Sequence, residues 1–348
     1  MKDRKKILDV VKVGFYGATG DNRSPEDFCL PACMTSLMQY LGEDIGMENN
    51  GKHVTRHAYA DFLTASGMAF GLLWHPEFCM SCMDLTQVNE HNDTIKNVFN
   101  WAGYEYDILE KNTKGDNRED IKTRIIDQIN RGIPVIAFGI IGPPECLIIC
   151  GYDEGGDVLI GWSSFQEEEH CEKEPNGMFC KRDWYDTLWK VVICGRKVGR
   201  KTNWKDVLVR GLSVMQKQEC SHYLAGSAAY DAWMEYVLNP ELSKVDDTTL
   251  KSRHQLHHIL VGNHAEARYY GHLSLKKFSD EETAKVADVF MNIHDTCWKV
   301  WGVLGEYGQE DVWIGFRDAE KRQEIARLLS QIKELDKTAV EHLQSALM

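Results

Sequence analysis

Residues 27–42 read Asp27-Phe28-Cys29-Leu30-Pro31-Ala32-Cys33-Met34-Thr35-Ser36-Leu37-Met38-Gln39-Tyr40-Leu41-Gly42. Apolar side chains fall at Leu30, Cys33, Met34, Leu37, Met38 and Leu41, at offsets of 0, 3, 4, 7, 8 and 11. That spacing is one continuous face of a helix. Pro31 suits the first turn, where its missing N–H costs nothing, and Gly42 suits the position just past the last turn. The stretch therefore predicts a helix with Cys29 immediately ahead of it. A thiol there meets unsatisfied N–H groups and the positive end of the helix dipole. Both favour the thiolate, the nucleophilic form. Cys33 lies one turn on, on the apolar face, and reads as packing. The plain alternative for Cys29 is a buried small hydrophobe.

Working outward, compact β-like runs follow at residues 132–138, 146–150, 158–162 and 188–193. Asp153-Glu154-Gly155-Gly156-Asp157 joins the second and third and reads as a hairpin turn. A helix followed by strands that pair antiparallel is an α+β arrangement, not an alternating βαβ one. From Thr202 onward the chain reads as about five helices. Ser279 with Glu282 forms a capping-box pattern. Trp233, Trp298, Trp301 and Trp313 are expected anchors of helix packing. The basic, Gly-bearing stretch Gly195 to Lys201 reads as a linker. The expected domains are 1–198 and 202–348.

The chain has 348 residues, enough for two domains, and a formal net charge of −13. An acidic chain argues against binding a phosphate backbone, so no nucleic-acid partner is expected. No run of apolar residues is long enough for a membrane span. The charged N-terminus lacks the apolar core of a signal peptide. Eleven scattered cysteines do not make a small disulfide scaffold, so free thiols and a cytoplasmic setting are expected.

The segment Asp27 to Gly42 resembles the start of the C39-like, papain-fold cysteine peptidases, in which such a segment opens the central helix. Cys29 falls on the nucleophile position. Glu145-Cys146-Leu147-Ile148-Ile149-Cys150-Gly151-Tyr152-Asp153 resembles the family's strand of the form His, any residue, three apolar residues, any residue, then Gly-Tyr-Asp. Val158 to Ser163 resembles the strand that carries the acidic triad member. In the helical half, Gly226 to Trp233, Glu266-Ala267-Arg268 and Ala287 to Trp298 resemble the helical domain of proteins similar to the butirosin-biosynthesis acyltransferase. The resemblance implies a papain-like domain with a central helix on an antiparallel sheet, then an all-helical domain. It also implies acyl transfer from a carrier protein to an amine.

This chain departs from that pattern at the residues that do the chemistry. Glu145 stands at the position of the catalytic His. An ionised Glu repels a thiolate and raises the thiol pKa. Trp162 stands where the orienting Asp would be. Leu30 replaces the Gly after the nucleophile. The oxyanion-hole Gln is missing, and Asn22 is the nearest amide. Three readings follow. The first is an acyltransferase or amide hydrolase working through Cys29 in an interdomain cleft, with Glu145 and Asn22 in supporting roles. The second is an inactive papain-fold binder of a small, cationic or aromatic molecule, its pocket lined by Cys29, Glu145 and Trp162. Trp74 and His75, in an aromatic-rich segment, are further binding candidates. The third is an oligomerising protein, a homodimer through its helical half. No cofactor is expected. Cys79 and Cys82 form a single CxxC, short of a zinc site. His254, His257 and His258 read as a polar helix face, His222 as the start of a helix, and His170 as solvent-facing.

Overall fold

A computed structural model describes residues 5–13, 24–79, 84–143, 145–167, 169–305 and 311–348. Its strands are β1 (Lys6–Ile7), β2 (Met47–Asn49), β3 (Val54–Arg56), β4 (Leu73–Trp74), β5 (Tyr104–Glu110), β6 (Val135–Phe138), β7 (Cys146–Asp153), β8 (Val158–Trp162), β9 (Glu172–Lys173), β10 (Phe179–Lys181), β11 (Lys190–Lys197), β12 (Glu219–Cys220) and β13 (Tyr223–Ala225). Its helices are α1 (Cys29–Tyr40), α2 (His57–Ser66), α3 (His91–Ala102), α4 (Arg118–Asn130), α5 (Trp184–Thr187), α6 (Trp204–Gln216), α7 (Gly226–Leu238), α8 (Asp247–Leu275), α9 (Glu281–Leu304) and α10 (Ala319–Leu347). The chain forms two compact units, Met1–Phe62 with Lys96–Lys201, and Leu63–Ile95 with Thr202–Met348. The expected α+β class holds, with an antiparallel sheet first and a helical part after it.

The first unit is built on a sheet of order β5-β11-β6-β7-β8-β10-β9, with β1 also paired to β7. These pairings are antiparallel. Strand β7 is buried along seven of its eight residues, because α1 and α4 both pack on it. Its register against β8 shifts between Ile149 and Gly151. The two backbones come so close that a Cβ at Gly161 would lie 2.1 Å from the Ile148 carbonyl oxygen. A side chain cannot fit there, which is why the strand carries a glycine.

Helix α1 matches its sequence pattern. Ten of its twelve residues are buried, and Gly42 takes the left-handed φ of +79° beyond its last turn. Cys29 is its first helical residue rather than the one before it. The segment leading in is tied down by polar groups. The Phe28 N–H donates to the Tyr59 hydroxyl at 3.0 Å. Glu26 and Arg56, each 1 % exposed, form a buried ion pair, with Arg56 Nε 2.8 Å from Glu26 Oε1. Arg56 Nη1 also donates to Gln39 Oε1 at 3.1 Å, which locks β3 to α1.

The expected linker is partly strand. β11 runs through Lys197, and its basic residues are paired with acids: Arg196 Nε lies 2.8 Å from Glu105 Oε2, and Lys197 Nζ lies 2.6 Å from Glu43 Oε2. Charge and glycine content suggest a loop, whereas backbone pairing with β5, which brings Lys197 opposite Tyr104, makes this stretch the end of a strand that lies inside the sheet.

The second unit packs α8, α9 and α10 side by side, with α6 and α7 against α10. Several sequence expectations change here. The N-cap of α9 is Asp280, which accepts from the Thr283 N–H, and not Ser279. An ionised acceptor beside the helix dipole outcompetes the serine one residue earlier. Trp233 is a core anchor at 1 % exposure, but Trp298 is 46 % exposed. His222 lies in the turn between β12 and β13, not at a helix start. His170 is exposed, as expected.

The largest correction concerns His254, His257 and His258. They are buried, not a polar face. Helix α8 is covered on several sides, so even its histidines enter an aromatic layer. His257 sits 5.6 Å from Trp233 and 5.2 Å from Phe316, and His258 sits 4.2 Å from Trp301. Burial holds the three imidazoles below their usual titration range, His254 at about 4.

Arg56→Met leaves Glu26 buried without a counter-charge, and urea denaturation should show a loss of about 3–5 kcal/mol. The buried histidines bind protons more readily in the unfolded chain. Stability is therefore complete above pH ~7 and falls as pH drops below 6.5 toward about 4. Thermal melts across that window should show the decline, and His257→Phe should flatten it.

Candidate functional site

The hairpin between β6 and β7 decides what faces the entrance of α1. Gly139 donates to the Glu145 carbonyl at 3.2 Å, and Phe138 pairs with Cys146. This register sets Cys146, the first residue of β7, over Cys29. The Cys146 N–H donates to Cys29 Sγ at 3.2 Å. Cys29 and Cys33, one turn apart on α1, and Cys146 and Cys150 on β7 are all buried free thiols.

Charge decides the state of Cys29. The Cys146 side chain, as a hydrogen-bond donor to the sulfur, pulls its pKa down, and the Cys146 backbone N–H adds to that. Burial, the negative charge of Glu145 and the nearby Cys33 push the other way and win, so the Cys29 thiol is raised to about 11. Burial raises Cys146 well above its usual value too, reinforced by its Cys29 and Cys33 neighbours. Burial and Cys33 do the same to Cys150. The helix start was expected to favour a thiolate. At 8 % exposure, with a carboxylate nearby, it does not produce one.

No histidine among the described residues bonds the Cys29 sulfur, whose hydrogen-bond partner is Cys146. Glu145 is half-buried and directly precedes Cys146. Trp162 ends β8 at 6 % exposure, and its indole N–H donates to the Val10 carbonyl at 3.0 Å. Lys12 Nζ lies 5.9 Å from the Trp162 ring centroid. Asn22 lies outside the described residues.

Trp74 and His75 belong to the second unit. Trp74 is 4 % exposed and stacks on Phe78 at 4.5 Å. His75 packs edge-on against His222 at 5.2 Å and Tyr223 at 5.6 Å. Cys79 is described, but its CxxC partner Cys82 lies outside the described residues. Among the described residues, no group of three or more His, Cys, Asp or Glu is arranged to hold a metal ion. No described helix is long and apolar enough to cross a membrane.

From the sequence, Cys33 reads as packing, and Cys146 and Cys150 read only as residues of a β run. A signal was present: two cysteines four apart on a helix, and two four apart on a strand. Only the pairing of α1 with β7 shows that the two sets meet.

Among known proteins, the chain matches no family model and no curated protein.

Peptide-resolved mass spectrometry after iodoacetamide treatment should show Cys29 nearly inert at pH 7.5. With a pKa of about 11, its thiolate fraction there is below roughly one part in a thousand. Its labelling rate should climb only in strong base. Glu145→Gln removes a like charge, so the midpoint should move to lower pH.

Proposed function

We propose that this chain is a papain-like protein that binds a small molecule and performs no covalent chemistry on it. The arrangement of a central helix on an antiparallel sheet supports the papain-like reading. So does a cysteine on the first residue of that helix, facing the start of a sheet strand. The observation that carries the inactive reading is the state of Cys29. Its sulfur is buried and protonated at neutral pH, with Cys146 as its partner and a carboxylate where a base would be needed. A cysteine nucleophile requires a thiolate and a group that protonates the leaving atom. Glu145 raises the thiol pKa and so opposes the thiolate. A half-buried carboxylate at that position suits the ammonium of an amine-bearing ligand.

Acyl transfer through Cys29 keeps one observation in its favour. The sulfur sits at a helix N-terminus and is held by the Cys146 N–H, which would suit it to an acyl group. The two readings separate cleanly by experiment. The full chain is screened by thermal shift against amines, peptides and aminoglycosides, and then incubated with a small acyl thioester. The inactive reading expects a ligand whose shift survives in Cys29→Ala and is lost in Glu145→Gln, with no added acyl mass. An acyl adduct that forms on the native chain and is absent from Cys29→Ala would overturn it.

A further inference from the structure

The helical unit holds a cavity of about 380 Å³ that the reading of Cys29 does not involve. That volume is within the range of small-molecule sites. Its walls are the end of α6, the first turn of α7 and the middle of α10. Tyr230 and Asp336 are among its lining residues, and both belong to a closed polar network. Asp336 Oδ1 accepts from Arg268 Nε at 3.2 Å and Nη2 at 3.1 Å. Its Oδ2 accepts from Arg268 Nη2 at 2.9 Å and from the Tyr230 hydroxyl at 2.7 Å. The acceptor sites of this carboxylate are therefore filled, and its charge is met by a guanidinium with no exposure. Tyr230 Oη, whose proton goes to Asp336, also lies 2.6 Å from His264 Nε2. Asp336 therefore offers no free carboxylate to a cationic ligand.

The rest of the lining supplies donors. The Ser227 hydroxyl and the Gln216 carboxamide both border the cavity and make no hydrogen bond among the described residues. Lys337 meets Glu334 only at 4.0 Å, so its ammonium remains available, whereas Lys333 is held by Asp231 at 2.6 Å. The N-cap of α7 is Ala225, which provides no side-chain acceptor for the first-turn N–H groups, and of these the Gly226 N–H already donates to the Leu72 carbonyl at 3.2 Å. Met215 and Val340 make the apolar part of the lining. The donors would suit an oxyanion. The number of charges is limited, because the carboxylate of Glu334 borders the same space and would repel a second negative charge.

We infer that this cavity binds a small organic monocarboxylate, its carboxylate on Ser227 and Lys337 and its apolar body against Met215 and Val340. The test uses the full chain with butyrate, the neutral isostere butyramide and inorganic phosphate as probes, followed by thermal shift and saturation-transfer NMR. Butyrate should raise the melting temperature in a concentration-dependent way, and butyramide and phosphate should not. Ser227→Asp places a carboxylate of the protein's own at the donor set. An acidic residue also suits the first turn of a helix, so this variant should fold. It should lose butyrate binding by about tenfold or more. Lys337→Gln, on the exposed side of α10, is the second variant and should weaken butyrate by several-fold. The inference fails if phosphate or butyramide binds as well as butyrate, if Ser227→Asp binds butyrate unchanged, or if no probe binds. None of these outcomes bears on Glu145, whose variant tests the amine-binding proposal separately.

Discussion

A guanidinium cannot shed its charge inside a protein, so burying one dictates what must surround it. Arg268 has no exposure. Its Nε and Nη2 are taken by Asp336 of α10, and its Nη1 donates to the Ala69 carbonyl at 2.5 Å. Tyr230 of α7 completes the shell around the carboxylate. Three helices and the Met68–Phe70 turn are thus fixed to one side chain. Removing any partner would leave a buried charge or carbonyl unsatisfied, so the arrangement is held as a whole. Arg56 plays the same part in the first unit, where Glu26, Ser36 and Gln39 surround it and hold the approach to α1.

The two units use such networks to different ends. In the first, the polar groups fix the start of α1 while the thiols beyond it sit in an apolar layer with β7. The helix end that would stabilise a thiolate is present, but water is largely excluded and Glu145 adds a negative charge. Desolvation and repulsion together exceed what the helix end and the Cys146 hydrogen bonds supply. In the second unit, a fully satisfied carboxylate borders a cavity whose remaining polar groups are donors.

The sequence by itself determined the local elements. The apolar stripe of residues 30–41 specified α1, and the alternation of β runs and turns specified β6, β7, β8 and β11, because periodicity and turn chemistry are local properties. It also showed an acidic residue at 145 and none of the expected partners for Cys29. What only the tertiary structure decided was which residues are dry. His254, His257 and His258 look polar in one dimension and are buried because other helices cover α8. Arg196 and Lys197 look like a linker and are strand residues because the backbone of β11 pairs with β5 as far as Lys197 opposite Tyr104. Cys146 and Cys150 look like ordinary strand residues and become the neighbours of Cys29 and Cys33 through the packing of α1 on β7. The pKa of Cys29 follows from that contact and from burial. Both depend on residues more than a hundred positions away, which no local pattern encodes.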